Sequence, residues 1–205
     1  MSPHVPGLSP RVAGYLAKVP DGVDAHPGCL ARAAMLRRSL AERPLTGIHV
    51  DSLPAPVRHL VVCPPLDGEW ISDVHLVCIL FTIADAHGMT DGHYLDWIRE
   101  LNTHMFQTLF RGAVDAQSPE AMLAKVPERW SIFHRGSTLE AEEAGPGRAV
   151  VRLSFPPHLF HGLALRQFAP VWEAALRLAD PSCTVELDSS DATSGRFVAR
   201  WGPGT

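Results

Sequence analysis

The sequence has no long apolar run and no strong surplus of one charge. Its longest apolar stretch, Val74 to Ala84, is shorter than the ~20 residues of a membrane-spanning helix and includes His75 and Thr82. Lysine and arginine number 18, against 22 aspartate and glutamate residues. This balance lacks the concentrated positive charge that binding to phosphates requires, so neither nucleic acid nor a membrane is expected as a partner.

Cysteine is scarce, and the motifs of common catalytic sites are missing. The four cysteines show no C-x-x-C spacing and no alternation with histidine that would predict a zinc site. Two Asp-x-His units lie within residues 85–93, but residues two apart on a helix point to different sides, which does not suit a metal. No G-x-S-x-G, G-x-x-x-x-G-K-S/T, G-x-G-x-x-G or H-E-x-x-H motif occurs. We therefore predict thiols in a reducing, cytoplasmic compartment and no metal.

Helices are predicted throughout residues 1–128, where proline residues separate short helical patterns. One of these helices, Trp70–His87, is apolar nearly all round, which is typical of a central buried helix. The helices are expected at Ser9–Lys18, Pro27–Glu42, Pro56–Val62, Trp70–His87, Thr90–Arg111 and Ser118–Val126.

Residues 129–205 change to the two-residue period of strands. The pattern predicts strands at Trp130–Glu142, Val150–Phe155, Cys183–Leu187 and Phe197–Trp201, and a helix at Leu159–Ala179 that Pro170 kinks or divides. The predicted fold class is α+β: an all-helical N-terminal part followed by a β-β-α-β-β lobe with a four-stranded, mostly antiparallel sheet. We expect the two parts, 1–128 and 129–205, to form one compact unit.

Charged residues alternate with the apolar residues of these strands. Arg152, Glu186, Arg196 and Arg200 fall on the side of their strands away from the apolar residues. We expect them to form cross-strand pairs on the outer face of the sheet.

A polar seam is predicted on the apolar helix. His75, Cys78, Thr82 and Asp85 fall within about 80° of one another at 100° per residue. The seam either faces a pocket and binds a polar ligand, or it meets solvent or a neighbouring loop. Asn102 lies in the apolar face of the next helix, where a buried amide needs a hydrogen bond to Thr82, to His75, to another interhelix partner or to a ligand.

A second candidate pair lies in the first predicted strand. His134 and Arg135 point to opposite faces of that strand unless Gly136 forms a bulge. Arg135 could form an anion site, or it could pair with an acidic residue between the two parts of the chain.

Three segments resemble a group of uncharacterised myxobacterial proteins of about this size: Trp70–His75, Tyr94–Trp97 and Arg129–Ser137. The order of elements is also similar to the fold group of the heme-nitric-oxide sensors, four-vinyl-reductase domains and trafficking-complex subunits. For the sensors, the resemblance implies a heme whose axial ligand is a histidine on a helix. The tyrosine, serine and arginine set that holds the heme propionates in that family has no recognisable counterpart in this sequence, so no cofactor is predicted.

These observations favour a non-catalytic module that binds a small molecule or a protein partner between the helical part and the sheet, in a regulatory or sensory role. One alternative is an enzyme that uses His75, Asp85 or His134 as general acid or base. Another is a structural oligomerisation unit, such as a homodimer, because apolar helix faces could meet a second copy. The predicted ligand-binding residues are His75, Thr82, Asp85, Asn102, His134 and Arg135.

Overall fold

The computed structural model describes residues 7–114 and 118–202, and the chain divides into two compact units. Unit 1 is Met1–Thr90, and unit 2 is Asp91–Thr205. The sequence-based boundary between residues 128 and 129 marks a predicted change of secondary structure, and as a domain boundary it stays a prediction.

Unit 1 is mainly helical. Its elements are α1 (Pro10–Leu16), a 3-10 turn (Gly22–Asp24), β1 (Leu30–Arg32), α2 (Ala33–Glu42), α3 (Ile48–Asp51), α4 (Ala55–Val62), β2 (Trp70–Ser72) and α5 (Asp73–Ala86). The strands β1 and β2 pair antiparallel, with Leu30 opposite Ser72 and Arg32 opposite Trp70. The predicted helix starts at Pro27 and Trp70 are therefore wrong, because each helix is preceded by a short strand whose partner lies about 40 residues away in the chain.

The central helix of unit 1 is α5, as the apolar pattern predicts. Every side chain from Leu76 to Ala84 is buried. The α1 helix packs on it through Val12 and Tyr15, and the Tyr15 ring meets the Phe81 ring edge-on at a centroid distance of 5.9 Å. Burial of these apolar side chains is the main term that holds unit 1 together.

Unit 2 combines helices with an antiparallel sheet. Its elements are α6 (Asp91–Gln107), α7 (Arg111–Val114), α8 (Pro119–Leu123), α9 (Val126–Phe133), β3 (His134–Arg135), β4 (Thr138–Gly145), β5 (Arg148–Ser154), α10 (Leu163–Arg166), α11 (Phe168–Leu176), β6 (Thr184–Ser190) and β7 (Ser194–Arg200). The sheet order is β4-β5-β7-β6, and each neighbouring pair is antiparallel. The predicted α+β class and the β-β-α-β-β order of the lobe are confirmed.

Two proline positions explain where the predicted elements of unit 2 are wrong. The segment from Trp130 to Phe133 is the end of α9 rather than the start of a strand, because Pro127 lies in the first helical turn and begins that helix instead of ending the one before it. The long helix is divided, as predicted, but the division falls at Gln167 between α10 and α11. Pro170 lies in the first turn of α11, where its missing N–H leaves no hydrogen bond unmade.

The charged outer face of the sheet is confirmed as a set of cross-strand ion pairs. Arg200 pairs with Glu186, and Arg152 pairs with Glu142 at 3.2 Å. Arg196 pairs with Glu142 at 3.0 Å and with Asp188 at 2.8 Å. Most of these side chains are a third or more exposed, so each pair contributes under about 1 kcal/mol.

The hairpin between β6 and β7 is closed by Asp191. Its carboxylate accepts hydrogen bonds from the backbone N–H groups of Thr193 and Ser194, both at 2.7 Å, and from both hydroxyls. These hydrogen bonds, that from the Thr193 N–H first, lower the pKa of Asp191 from the ordinary 3.8 to about 2. The stabilisation they provide is complete above the ordinary value and is lost as the pH falls toward the folded value.

We expect Asp191 to titrate near pH 2 in the folded chain and to release the hairpin there. The Thr193 and Ser194 amide resonances should therefore stay constant from neutral pH down to about 4 and shift only below that. An NMR titration measures this directly. In an Asp191→Asn variant the low-pH shift should disappear, and titration of the wild-type carboxyl near its ordinary value would contradict the assignment.

Candidate functional site

The polar seam of α5 is satisfied by neighbouring backbone groups. His75 is half-buried, and its Nε2 lies 3.1 Å from the carbonyl oxygen of Val23. Because a carbonyl only accepts, Nε2 carries the proton. Burial lowers the pKa of His75, which favours the neutral ring. Thr82 is buried, and its hydroxyl donates to the Cys78 carbonyl one turn earlier at 2.8 Å.

Asp85, the last residue of the seam, forms an ion pair with Arg11. Asp85 Oδ1 lies 2.5 Å from Arg11 Nη1, and Oδ2 accepts from the Arg11 backbone N–H at 3.0 Å. Arg11 Nη2 also donates to the Met89 carbonyl at 2.6 Å. The three contacts join the start of α1 to the end of α5 and the residues after it. Asp85 therefore has a structural role.

In unit 2 the candidate residues have different surroundings. Asn102 is buried, and its Nδ2 donates to the Ile98 carbonyl of its own helix at 2.8 Å. Arg135 is exposed on β3. His134 is buried and stacks on the Trp130 indole, with ring centroids 4.2 Å apart and planes 14° apart. His134 and Arg135 are neighbours in the chain with opposite exposure, as predicted for a strand.

His134 belongs to an aromatic cluster in the core of unit 2. Phe168 is its centre, with ring centroids 4.8 Å from Phe160 and 5.8 Å from Trp172. The cluster is close-packed by edge-to-face and stacked contacts. Its members are Trp130, His134, Phe155, Phe160, Phe168, Trp172 and Phe197.

A cavity of about 330 Å³ opens on unit 2 between α6, α11 and β6. We call it the groove. It is lined by Leu95, Arg99, Arg166, Ala169, Pro170, Glu173, Val185 and Leu187. None of the six predicted ligand-binding residues is among them. The sequence marks Leu95, Val185 and Leu187 as inward-facing, but it does not show that these side chains stay partly uncovered.

Glu173 is the ionic centre of the groove. It is 8% exposed, and its Oε1 lies 3.0 Å from both Arg99 Nε and Arg177 Nη2. Its Oε2 accepts a hydrogen bond from the backbone N–H of Val185 at 3.3 Å. Glu173 therefore joins α11 to α6 and to β6, and its negative charge is balanced by two guanidinium groups.

The described residues hold neither a metal cluster nor a membrane-spanning helix. Within residues 7–114 and 118–202, no three His, Cys, Asp or Glu side chains are placed to bind a metal ion. Over the same ranges, no helix has both the length and the hydropathy that crossing a membrane would require. All four cysteines lie in these ranges, and all are thiols.

Comparison with solved structures identifies the fold as that of H-NOX domains. The Fe(II) unliganded H-NOX protein from K. algicida superposes with a TM-score of 0.52 and 12% identity, over 84% of this chain and 97% of that chain. An oxygen-binding H-NOX domain related to soluble guanylate cyclases, in its oxygen complex, gives a TM-score of 0.54 and 10% identity, over 83% and 92%. No family model matches the chain. No curated protein matches it either. The predicted likeness to the heme-nitric-oxide sensor fold is confirmed, and at this identity it concerns the fold alone.

The helix histidines of this chain do not fit a heme. An axial histidine turns a nitrogen lone pair toward iron inside an apolar cavity. His75 has its Nε2 proton directed at a carbonyl, so the outer ring nitrogen is not free to bind iron, and the lone pair lies on Nδ1, next to the backbone of the helix. The other histidines within described helices are exposed; they are His49, His59, His93 and His104. The donor set therefore differs from that of a heme sensor.

Proposed function

We propose that the chain is a non-catalytic binding module with a regulatory or sensory role, and that its ligand occupies the groove. The observation that carries the proposal is an open cavity lined by both apolar and ionic side chains, all of them from unit 2. Its volume falls in the range of about 300–1,000 Å³ that small-ligand sites have. The similarity in fold to an oxygen-binding H-NOX domain supports a ligand-responsive role.

The groove offers apolar contact and one exchangeable charge. Leu95, Ala169, Pro170 and Leu187 provide the apolar surface. Arg166 at the wall pairs with the Asp91 carboxylate at 3.3 Å, and both side chains are about half exposed. Such a pair contributes under about 1 kcal/mol, so an anionic group of a ligand replaces Asp91 at little cost.

Catalysis is less well supported than binding. The Glu173 carboxylate is held by three partners, whereas a general base needs a position from which it can accept a proton. Of the residues considered for an enzyme, Asp85 is paired with Arg11, and the Nε2 proton of His75 is directed at a carbonyl.

We place the module in the cytoplasm, because its four cysteines are thiols and a reducing compartment keeps thiols unpaired. The likeness to myxobacterial proteins stays a prediction.

We expect the groove to bind 8-anilinonaphthalene-1-sulfonate, a probe with an apolar aromatic body and one anionic group. Ala169→Trp fills the groove and should weaken the binding about tenfold, which a fluorescence titration measures. Ala41→Trp adds the same ring at an exposed position of α2 and should leave the affinity unchanged.

The polar seam provides the competing location. If the ligand lies in the groove, a His75→Ala variant binds the probe with wild-type affinity. Loss of binding in His75→Ala together with full binding in Ala169→Trp would overturn the proposal in favour of the seam. Near-UV circular dichroism of each variant checks that its tertiary packing is intact.

A further inference from the structure

β6 is an edge strand of the sheet. It pairs with β7 on one side, from Thr184 opposite Arg200 to Leu187 opposite Phe197. In the sheet order β4-β5-β7-β6, no strand within residues 7–114 and 118–202 follows it on the other side. An edge strand presents unpaired backbone N–H and C=O groups, which can pair with an added strand.

The edge of β6 that does not pair with β7 borders the groove. The N–H of Val185 donates to Glu173 Oε2 rather than to β7, so Val185 directs its backbone groups away from the sheet. Residues two apart in a strand share this direction, so Leu187 does the same. Both side chains also line the groove. The outward backbone groups of Val185 and Leu187 therefore lie beside the apolar lining of the groove.

We propose that the occupant of the groove is an extended segment of a partner protein, which adds to β6 as a fifth strand. This inference rests on the proposed function and names its ligand. A backbone carbonyl of the added strand takes over the Val185 N–H from Glu173, whose hydrogen bond of 3.3 Å is at the long end of the usual range. Glu173 keeps Arg99 and Arg177 as partners.

The groove selects apolar residues at alternate positions of the added strand. A residue opposite Val185 or Leu187 has its side chain on the same face of the sheet as theirs. On that face the side chain enters the groove and meets Leu95 and Pro170. Recognition of this type takes affinity from main-chain hydrogen bonds and specificity from the pockets that receive every second side chain.

The outer face of β6 selects basic residues at the positions in between. It carries Glu186 and Asp188, whose side chains are 61% and 45% exposed. Each pairs with an arginine of β7, which leaves the side of the carboxylate toward the added strand open to a second cation.

A second copy of this chain is disfavoured as the occupant. Two antiparallel β6 strands paired about Leu187 would place Glu186 of one copy opposite Asp188 of the other, and these like charges repel.

A pair of blocked nonapeptides tests the inference: one alternates lysine with valine, and the other alternates glutamate with valine. Isothermal titration calorimetry should show that the lysine peptide binds at least about tenfold more tightly. NMR should place its largest amide shifts at Val185 and Leu187. Equal affinity for the two peptides, or shifts confined to other residues, would overturn the strand addition.

Charge reversal separates specific pairing from general attraction to an acidic protein. In Glu186→Lys/Asp188→Lys the preference should invert toward the glutamate peptide. Asp51→Lys/Glu128→Lys changes the net charge equally at exposed positions outside β6, and there the lysine peptide should still be preferred. An unchanged preference in the first variant, or a concentration-dependent dimer that this variant abolishes, would refute the partner-segment assignment.

The two proposals fail in different ways. If the anilinonaphthalene probe binds in the groove and neither peptide binds, the strand addition is wrong and the binding module stands. If Ala169→Trp has no effect on either the probe or the lysine peptide, the groove is not the site, and both proposals are refuted.

Discussion

Replacing Phe168 with alanine is expected to lower the free energy of unfolding by about 3–5 kcal/mol, the largest loss that we predict for one side chain. Phe168 is 3% exposed, and its ring is the centre of the aromatic cluster, with centroids 5.6 Å from Trp130 and 5.9 Å from His134. Truncation removes the burial of a large ring and leaves a cavity that its rigid neighbours cannot fill. Guanidinium denaturation followed by tryptophan fluorescence measures the change.

A size-matched control separates the effect of volume from that of aromaticity. Phe168→Leu keeps most of the volume but loses the edge-to-face and stacked contacts, each worth about 0.5–1.5 kcal/mol. We expect its loss to be less than half of that in the alanine variant. A loss below about 1 kcal/mol in Phe168→Ala would mean that the cluster does not stabilise unit 2.

The second large effect is expected at the ion pair that closes unit 1. Arg11→Ala removes two side-chain hydrogen bonds, to Asp85 and to the Met89 carbonyl, and leaves a mostly buried carboxylate without its cation. Hydrogen bonds to charged groups contribute about 1.5–3 kcal/mol, and we expect a loss of about 2 kcal/mol from this partly exposed pair. Thermal unfolding monitored by circular dichroism at 222 nm would register the change.

The matched control is an exposed pair with similar geometry. Arg148 and Glu143 lie 2.8 Å apart, with about half of each side chain exposed. Arg148→Ala should cost well under about 1 kcal/mol, because solvent screens the pair and the freed carboxylate is rehydrated. Equal effects of the two arginine substitutions would show that the Arg11 contacts add nothing beyond a surface ion pair. Asp85→Asn, which keeps the shape but not the charge, should have an intermediate effect.

The fold of this chain resembles that of heme-binding domains, but its helix histidines do not suit a heme. The fold is that of H-NOX domains, yet the helix histidines of the described residues are exposed, except for His75, whose Nε2 is bonded to a backbone carbonyl. A fold is a scaffold on which different sites can be built, so the likeness does not carry the heme with it. The site that we propose for the ligand is the groove beside β6.

Periodic patterns of apolar residues predicted correctly those helices and strands that are buried either on one face or on all sides. The alternation from Val150 to Phe155 and the apolar run from Val74 to Ala84 were correctly assigned, because each pattern reports how its own element is buried. Arg200 and Glu186 were correctly expected to pair across strands, because register follows from the same alternation. Local patterns were misleading at Pro127, since a proline can follow the end of one helix or begin the next, and here it begins α9.

The candidate site was harder to predict because its features are not local in the sequence. The polar seam on α5 was visible as a pattern, but its partners Val23 and Arg11 lie more than 50 residues away. Leu95, Val185 and Leu187 were recognised as apolar, and their partial exposure in the groove depends on how far α11 covers β6. No pattern within one element reports what its neighbour leaves uncovered.

By itself, the sequence determined the α+β class, the β-β-α-β-β order of the C-terminal lobe, the buried helix α5, and the charged outer face of the sheet. These follow from the periodicity of side chains along one segment, which burial on one face imposes. Only the tertiary structure decided which polar groups are already paired, where the groove opens, and that β6 borders it. Those properties depend on distances between residues far apart in the chain, and such distances are set by packing rather than by any local pattern.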